Sequence, residues 1–311
     1  MSKEPDHSLL ASPVLRYWLA TRPGFLAASL VPVLIGVAAV SQQGGKVSLW
    51  LLLLALLATA LVHAGVNVLN DYYDDANGTD RCNTQRIFPF TGGSRFIQNG
   101  VLSAGDALVF GAGLLSAAML LGICMAWVSG SSLLWVGVAG LLLGWGYSAP
   151  PLRLNSRGLG ELAVAAGFGI LTPLGSWFVQ TGEMALYPVL VSVPVALLVM
   201  NILFINQFPD YQADTACGKH HWVVRLGPQR AAPIYLLTVL LAAFLLVAMV
   251  MVGGLPPLAL LSLLPLKLAW QAGLQLQQYA TQPARLEPAI KMTIGSMILH
   301  GLLLSLGLWL G

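Results

Sequence analysis

Charged residues are scarce in this sequence. They make up 9% of the 311 residues, against roughly 25% in an ordinary soluble domain. A soluble protein could not cover its surface with so few charges, so the composition excludes that class and indicates a protein surrounded by the lipid bilayer. The net charge is +3, with lysine and arginine spread along the chain. This even distribution argues against nucleic acid as a partner.

Cysteine is also scarce, and the N-terminal segment does not resemble a signal peptide. Cys82, Cys124 and Cys217 are far apart and form no C-x-x-C pair, so we predict free thiols and exclude a disulfide framework or a zinc site. The first 23 residues lack the basic start, apolar core and small-residue cleavage site of a secretory signal. We therefore expect the first apolar segment to direct insertion into the membrane.

Long apolar segments dominate the rest of the chain. A helix needs about 20 apolar residues to cross the ~30 Å hydrocarbon core of a bilayer. Nine segments approach or reach that length, at residues 24–42, 47–70, 105–127, 132–149, 159–180, 187–208, 231–252, 257–277 and 289–311. The fourth is short and the eighth contains Lys267. The pattern predicts an all-α membrane protein with about nine transmembrane helices in a single domain, residues 1–311.

Basic residues mark one side of these segments. Of the 15 lysine and arginine residues, 13 fall in the N-terminal segment, in the connections after even-numbered segments, or in the first turn of the ninth segment. Because basic residues concentrate on the cytoplasmic side of membrane proteins, we predict a cytoplasmic N-terminus and charged loops on the same face. The predicted location is the cell inner membrane, with multiple passes.

Half of the 12 acidic residues lie in two clusters, each at the end of an apolar segment. The first contains Asp71, Asp74, Asp75 and Asp80, and the second contains Asp210 and Asp214. Both carry the spacing N-x3-D-x3-D, as Asn67-Asp71-Asp75 and as Asn206-Asp210-Asp214. Residues four apart share a helix face, so each segment is expected to direct an amide and two carboxylates the same way. The repeat indicates two related halves, about residues 1–146 and 147–311.

Carboxylates this close together repel one another unless cations lie among them. Oxygen-rich sites suit Mg²⁺, which takes one or two carboxylates together with substrate phosphates. We therefore predict that the two clusters bind Mg²⁺ with a diphosphate between them. The predicted metal ligands, which are also the predicted catalytic residues, are Asp71, Asp74, Asp75, Asp210 and Asp214. The alternative is a set of solvated loop charges neutralised by nearby arginines.

Basic and amide side chains flank the acidic clusters. Lysine and arginine bind phosphate oxygens, although basic residues that anchor a helix at the cytoplasmic interface would look the same in sequence. The predicted diphosphate ligands are Asn67, Asn206, Lys219, Arg225, Arg81 and Arg153. Aromatic faces stabilise cations, and Tyr147 and Tyr72 are candidates for that role. His63 and His300 lie within apolar segments and are expected to be packed polar side chains.

Several motifs together resemble the UbiA superfamily of intramembrane prenyltransferases. They are the segment from Trp18 to Gly36, the stretch from Asn67 to Asp75, Tyr147–Arg153 followed by Arg157–Glu161, and Asp210–Asp214 followed by Gly218-Lys219 and Val224–Gly227. The resemblance covers nearly the whole chain. It implies helices around a central cavity that opens towards the membrane and is capped by the acidic motifs. There a prenyl group would pass from a polyprenyl diphosphate to an aromatic acceptor, with Mg²⁺ as cofactor.

Within that superfamily, the first loop most resembles the 1,4-dihydroxy-2-naphthoate branch. The resemblance lies in Gly78-Thr79-Asp80 and in the segment Gly92–Arg95, and it implies a role in menaquinone biosynthesis. The pattern of this branch favours Asp74 with Asp80 as ligands, whereas helical spacing favours Asp75, and the sequence leaves both open. His220–Trp222 depart from the residues that usually follow Gly-Lys in the family.

An aromatic acid acceptor needs a cation for its carboxylate, separate from the cations that hold diphosphate. Arg95 is the first candidate, because Gly92 and Gly93 precede it and glycine lets backbone approach a ligand closely. Arg22 is the second. Two other functions fit the sequence. One is transfer to a different ring, such as 4-hydroxybenzoate, and the other is ion-coupled transport, which would place the carboxylates near the bilayer centre.

Overall fold

A computed structural model describes residues 3–311, and within that range the protein consists of helices and connecting segments without strands. Nine apolar helices follow one another within residues 3–311. They are α1 Pro23–Gln42, α2 Leu49–Ala76, α3 Ala104–Ser129, α4 Leu133–Ser148, α5 Gly160–Thr181, α6 Tyr187–Ala216, α7 Pro228–Met251, α8 Pro257–Tyr279 and α9 Glu287–Leu310. Each coincides with one of the nine predicted segments, which confirms the all-α membrane class.

Eight of these helices are long and apolar enough to cross a bilayer, and α4 is shorter, with 16 residues. The chain is thus a multi-pass membrane protein. The cytoplasmic placement of the N-terminus and the division into two related halves stay predictions. Cys82, Cys124 and Cys217 are free thiols in the structure.

Two helices extend further than their apolar segments. The sequence predicted spans that end at residues 70 and 208, but α2 and α6 continue through the acidic clusters and reach 28 and 30 residues. At 1.5 Å per residue, Asp74 and Asp210 lie roughly 35 to 38 Å from the first residue of their helices. That distance exceeds the ~30 Å of hydrocarbon. The acidic residues therefore sit at helix ends, away from the centre of the bilayer.

Helix α6 forms the centre of the fold. Burial covers 72% of its apolar stretch, against 17% in α2 and in α3. It packs against α1, α5, α7 and α9, and the shared core includes Ile35, Phe204 and Leu304, all almost fully buried. Large apolar side chains such as Trp127 and Phe244 are exposed on the outer faces. In a membrane protein those faces meet lipid, so their exposure costs nothing.

Close packing of α5 on α6 depends on Gly169, which lies in a π-helical turn, Gly167–Leu171. A Cβ atom at this position would overlap the Cα of Ala196 on α6. Backbone cannot move aside as a side chain can, so we expect Gly169→Ala to destabilise the protein by about 1–3 kcal/mol. Thermal unfolding in detergent would measure this effect.

The matched control for that variant is Gly113→Ala on α3. A Cβ atom there has no neighbour within 4 Å, so this variant should unfold at the wild-type temperature or above it, because alanine favours helix. Equal melting temperatures for the two variants would show that the contact between α5 and α6 can relax.

Candidate active site

A cavity of about 650 Å³ lies among α1–α6. One part of its wall is apolar and comes mainly from α3 and α4, with residues such as Met119, Ile123 and Leu141. The end near the acidic clusters is polar. Four carboxylates line the cavity there, and they belong to Asp74, Asp80, Asp210 and Asp214. The cavity therefore joins a long apolar space to an oxygen-rich, negatively charged end.

Lys219 connects the two acidic clusters. Its Nζ lies 3.2 Å from a carboxylate oxygen of Asp74 and 3.1 Å from one of Asp214. His221 also contacts Asp214, with Nε2 at 3.0 Å from Oδ2. Residues distant in sequence thus converge at one point, as the sequence predicted for the two clusters.

Charge at this end is unevenly balanced. Burial lowers the pKa of the Lys219 ammonium, but the Asp74 and Asp214 carboxylates outweigh burial and raise that pKa above its ordinary value. Lys219 is therefore positively charged at any physiological pH. Burial together with the neighbouring carboxylates of Asp74 and Asp71 raises the pKa of Asp80 well above its usual range. One lysine does not neutralise four clustered carboxylates, and the site favours additional cations.

The loop between α2 and α3 folds over the acidic end. Asn83 Nδ2 donates to Asp210 Oδ1 at 2.6 Å, and the backbone N–H of Gly92 donates to the other Asp210 oxygen at 3.4 Å. Gly93 has a φ of 72°, and a Cβ atom there would overlap the Asp80 carboxylate. Glycine is required at this position for both reasons. The predicted close approach of Gly92 and Gly93 is real, but it is directed at aspartates of the site.

The first cluster is oriented differently from the prediction. Asn70 and Asp74 face the cavity, while Asp71 and Asp75 do not line it. One residue corresponds to a turn of about 100° around a helix, so the cavity face of α2 runs through Asn70 and Asp74. Asp71 accepts from the backbone N–H of Ser94 at 3.1 Å. Asp75 pairs with exposed Arg81 at 2.9 Å.

The second cluster has the predicted orientation, with Asn206, Asp210 and Asp214 all lining the cavity. The N-x3-D-x3-D spacing is therefore shared by the two clusters, but its orientation is not. Asn67, Asp71 and Asp75 lie at helical spacing on α2, but only Asn67 of the three lines the cavity. The roles of Asp71 and Asp75 as metal ligands stay predictions.

The predicted diphosphate ligands divide into two groups. Asn67, Asn206 and Lys219 line the cavity. The three arginines, Arg81, Arg153 and Arg225, are exposed and do not line it. Arg225 instead joins two loops, donating to the carbonyl oxygens of His220 and Arg157 at 2.6 Å each. An exposed arginine with such partners stabilises loop structure at the membrane interface.

The predicted acceptor and carbocation residues also divide. Arg22 lines the cavity, where Nη2 donates to the Phe90 carbonyl at 2.9 Å and the guanidinium lies 4.9 Å from the Phe25 ring centroid. Arg95 does not line the cavity, and its Nη1 donates to the backbone carbonyl of Asp80.

Tyr147 lines the cavity, whereas Tyr72 lies outside it and packs edge-on against Tyr73 at 5.1 Å between ring centroids. Of each predicted pair, Arg22 with Arg95 and Tyr147 with Tyr72, one member faces the cavity.

Several polar residues that line the cavity were not predicted as site residues from the sequence. They are Ser29, Asn70 and Asn83, together with His63, which was expected to be only a packed polar residue. Asn70 could have been found, because it stands four residues before Asp74 and repeats the Asn-x3-Asp spacing. No sequence pattern marks Asn83, since its position depends on the fold of a loop.

Oxygen atoms at the acidic end lack protein partners. Asp80 Oδ2, Asn83 Oδ1 and Asn206 Oδ1 are buried and accept no hydrogen bond within the described residues. Carboxylate and amide oxygens are the donors that hard divalent cations prefer. In residues 3–311, no group of three or more His, Cys, Asp or Glu side chains is arranged to hold a metal. Asp74, Asp75, Asp210 and Asp214 instead contact protein donors. The carboxylate and amide oxygens at this end are nevertheless of the type that binds a divalent cation.

Known proteins match this chain along most of its length. The UbiA prenyltransferase family model matches residues 29–296. The chain is 28% identical to 1,4-dihydroxy-2-naphthoate octaprenyltransferase of Bacillus subtilis (strain 168) over 291 residues, covering 94% of this chain and 91% of that protein. It is 27% identical to 2-carboxy-1,4-naphthoquinone phytyltransferase of Synechocystis sp. over 303 residues, covering 95% and 94%.

The fold matches a solved structure as well. A UbiA homolog from Archaeoglobus fulgidus, bound to GPP and Mg²⁺, superposes with a TM-score of 0.58 at 17% identity, over 93% of this chain and 99% of that one. At that identity the likeness concerns the fold. Because the family model spans most of the sequence, the chain belongs to the UbiA prenyltransferase family and is a prenyltransferase enzyme.

Proposed function

We propose that the protein transfers a polyprenyl group from polyprenyl diphosphate to 1,4-dihydroxy-2-naphthoate, with Mg²⁺ as cofactor, in menaquinone biosynthesis at the bacterial inner membrane. The observation that carries the proposal is the convergence of both acidic clusters and Lys219 at one end of an apolar cavity. The acceptor is supported by relatives named for naphthoate substrates, which align along almost the whole chain.

The acidic end is where the diphosphate would bind. Asp74, Asp80, Asp210 and Asp214 would hold Mg²⁺, together with the free amide oxygens of Asn83 and Asn206. When bound, Mg²⁺ supplies charge neutralisation for the departing diphosphate. Lys219 contributes a fixed positive charge among these carboxylates and offers its donors to phosphate oxygens. The loop of Gly92 and Gly93 covers this end, where the Gly92 N–H donates to Asp210.

The apolar wall suits the prenyl chain. Its residues from α3 and α4 include Ala118, Met119, Ile123, Leu134 and Leu141. A polyprenyl chain is too apolar to cross water, and a cavity within the membrane removes that barrier. The ring of Tyr147 lines the cavity near the acidic end, where its electron-rich face would stabilise positive charge on the reacting prenyl carbon.

Arg22 is the residue best placed to bind the carboxylate of the acceptor. It lines the cavity, and its Nε is buried without a partner in the described residues. A buried unpartnered donor on a guanidinium favours an anionic ligand. Arg22 is also distinct from Lys219, which lies among the carboxylates that would serve the diphosphate. The two substrate anions then have separate cations.

Ion-coupled transport is the less consistent alternative. A transporter would be expected to hold its carboxylates near the bilayer centre, but Asp74 and Asp210 stand at the ends of α2 and α6, roughly 35 Å along each helix. The cavity also ends in a lysine paired with both clusters. This is an arrangement for binding an anion at the membrane interface.

Incubation of purified protein with labelled polyprenyl diphosphate and a panel of hydroxylated aromatic acids tests the proposal. We expect a prenylated naphthalene product by mass spectrometry, complete loss of product in EDTA, and recovery when Mg²⁺ is added. Product from 4-hydroxybenzoate alone would overturn the acceptor assignment. Full activity in EDTA, after the protein has been stripped of metal, would overturn the cofactor assignment.

A further inference from the structure

A hydrogen-bonded chain of three polar side chains lines the cavity, and its Asn67 end lies one helical turn from Asp71 of the first acidic cluster. Ser29 on α1 lies 2.5 Å from Nδ1 of His63 on α2. Nε2 of the same imidazole lies 2.8 Å from Nδ2 of Asn67, one helical turn away. All three residues line the cavity, and Ser29 is only 1% exposed. Polar groups buried in a membrane protein are costly, and such residues commonly serve function.

The directions of these hydrogen bonds follow from the last partner. Asn67 Nδ2 also contacts the backbone carbonyl of Thr21 at 3.2 Å. A carbonyl only accepts, so this atom of Asn67 must be the amide nitrogen, which donates both bonds. His63 Nε2 therefore accepts, and the proton of the neutral imidazole is on Nδ1. His63 then donates to Ser29 Oγ.

Ser29 is left with a hydroxyl hydrogen that has no acceptor in residues 3–311. Two other buried serines on helices, Ser176 and Ser262, use theirs within the protein. Ser176 donates to the Pro173 carbonyl at 3.0 Å, and Ser262 donates to the Ala259 carbonyl at 2.7 Å. Ser29 makes no such bond, and its one contact is His63. The chain from Thr21 thus ends in a donor on the wall of the cavity.

The position of this donor matches one part of the substrate. Ser29 follows Arg22 by seven residues, near the start of α1, and both residues line the cavity. The wall formed by α3 and α4 is apolar and suits the prenyl chain. A ring that carries both a carboxylate and a hydroxyl group offers an anion to Arg22 and an acceptor to Ser29, whereas a prenyl chain offers Ser29 no acceptor.

We propose that the Ser29 hydroxyl donates a hydrogen bond to a ring-hydroxyl oxygen of the aromatic acceptor, and that His63 is the positioning residue that orients Ser29. This inference rests on the proposed function and deepens it. The carboxylate contact alone would leave the ring free to rotate about the Arg22 interaction. A second polar contact fixes which ring carbon faces the prenyl carbon, and it favours acceptors with a hydroxyl group over plain aromatic acids.

The test compares an acceptor with an analogue that has no ring hydroxyl. For Ser29→Ala, we expect kcat/KM for 1,4-dihydroxy-2-naphthoate to fall about 10-fold, the size of one lost hydrogen bond. The inhibition constant of 2-naphthoate, which keeps the carboxylate but has no hydroxyl, should change less than twofold. His63→Gln should lower kcat/KM similarly in the wild-type background but add less than twofold to Ser29→Ala, because both act through one contact.

Ser176→Ala is the matched control. Ser176 also lines the cavity and is buried, but its hydroxyl is bonded to Pro173. This variant should leave both constants within twofold. Equal losses for Ser29→Ala and Ser176→Ala, or equal weakening of 1,4-dihydroxy-2-naphthoate and 2-naphthoate by Ser29→Ala, would overturn the inference, since either would indicate a general effect on the cavity.

Failure of the proposed acceptor is a separate result. If the wild-type protein forms no product from 1,4-dihydroxy-2-naphthoate, the acceptor that the panel identifies replaces it, and its parent acid without the hydroxyl group replaces 2-naphthoate. The Ser29 comparison is then made with that pair. A selective loss supports the inference, and an unselective one contradicts it.

Discussion

Replacing either Asp74 or Asp210 by alanine is expected to lower the rate of prenyl transfer by about 1000-fold or more, while the protein still accumulates in the membrane. Each of the two carboxylates lines the cavity, and each comes from a different acidic cluster. Their loss removes oxygen donors from the end of the cavity where we propose that the diphosphate binds. The measurement is product formation per mole of purified protein at saturating Mg²⁺.

Asp75→Ala is the control that separates the two candidate positions in the first cluster. Asp75 lies outside the cavity and pairs with exposed Arg81 and with Gln98. Arg81 is exposed, so removal of the Asp75 carboxylate leaves no buried cation unpaired, and we expect less than a 10-fold loss of rate. If Asp75→Ala were more damaging than Asp74→Ala, the orientation of α2 would not describe the active enzyme. Near-normal turnover of Asp210→Ala would count against a diphosphate held at this end.

The helices of this protein were predictable because each depends on a long apolar run. A segment such as Tyr187–Ala216 has one stable solution in a bilayer, since its backbone polar groups must bond within the helix. The apolar segment ends where charge begins, but the helix does not. Side chains such as Asp210 lie beyond the hydrocarbon and cost the helix little. Hydropathy therefore located the apolar helices, and α2 and α6 extend beyond their apolar segments through the acidic clusters.

The orientation of the first acidic cluster could not be obtained from spacing alone. Spacing of four residues states which side chains share a face, but not which face meets the cavity. Two stripes were available on α2, Asn67-Asp71-Asp75 and Asn70-Asp74. Packing of the loop between α2 and α3 decides between them. The backbone N–H of Ser94 donates to Asp71, and Arg81 forms an ion pair with Asp75. Those contacts depend on tertiary structure that no local pattern specifies.

Tertiary contacts also decide whether Arg95 or Arg22 is available to bind the acceptor carboxylate. Arg95 follows two glycines, and the sequence indicated that this backbone approaches a ligand. In the structure, Gly93 instead makes room for the Asp80 carboxylate, and Arg95 turns to the Asp80 carbonyl. Arg22 has a φ of 57° and Arg95 a φ of 68°, both uncommon for residues other than glycine. This backbone geometry was not visible in the sequence.

Arg22→Gln is therefore expected to raise the KM for 1,4-dihydroxy-2-naphthoate by about 100-fold, with little change in the KM for polyprenyl diphosphate. Removing the cation leaves the acceptor carboxylate unpaired in a cavity of low polarity. Arg22→Lys keeps the charge but loses the planar fork that binds a carboxylate through two nitrogens, so its KM should lie between those of the wild type and Arg22→Gln. Steady-state kinetics with each substrate varied in turn measures both constants.

Arg95→Gln provides the comparison that decides between the two arginines. The Arg95 side chain does not line the cavity, so Arg95→Gln should change the acceptor KM little. If the variant disturbs the loop that contains Asp80, the KM values of both substrates should rise by the same factor. A selective rise in the acceptor KM with Arg95→Gln, and none with Arg22→Gln, would reverse the assignment. Because Arg22 also supports the Phe90 carbonyl, a structural role alone would weaken both substrates together in Arg22→Gln and Arg22→Lys. A carboxylate contact instead requires that only the KM for the acceptor rises, and that it rises less in Arg22→Lys than in Arg22→Gln.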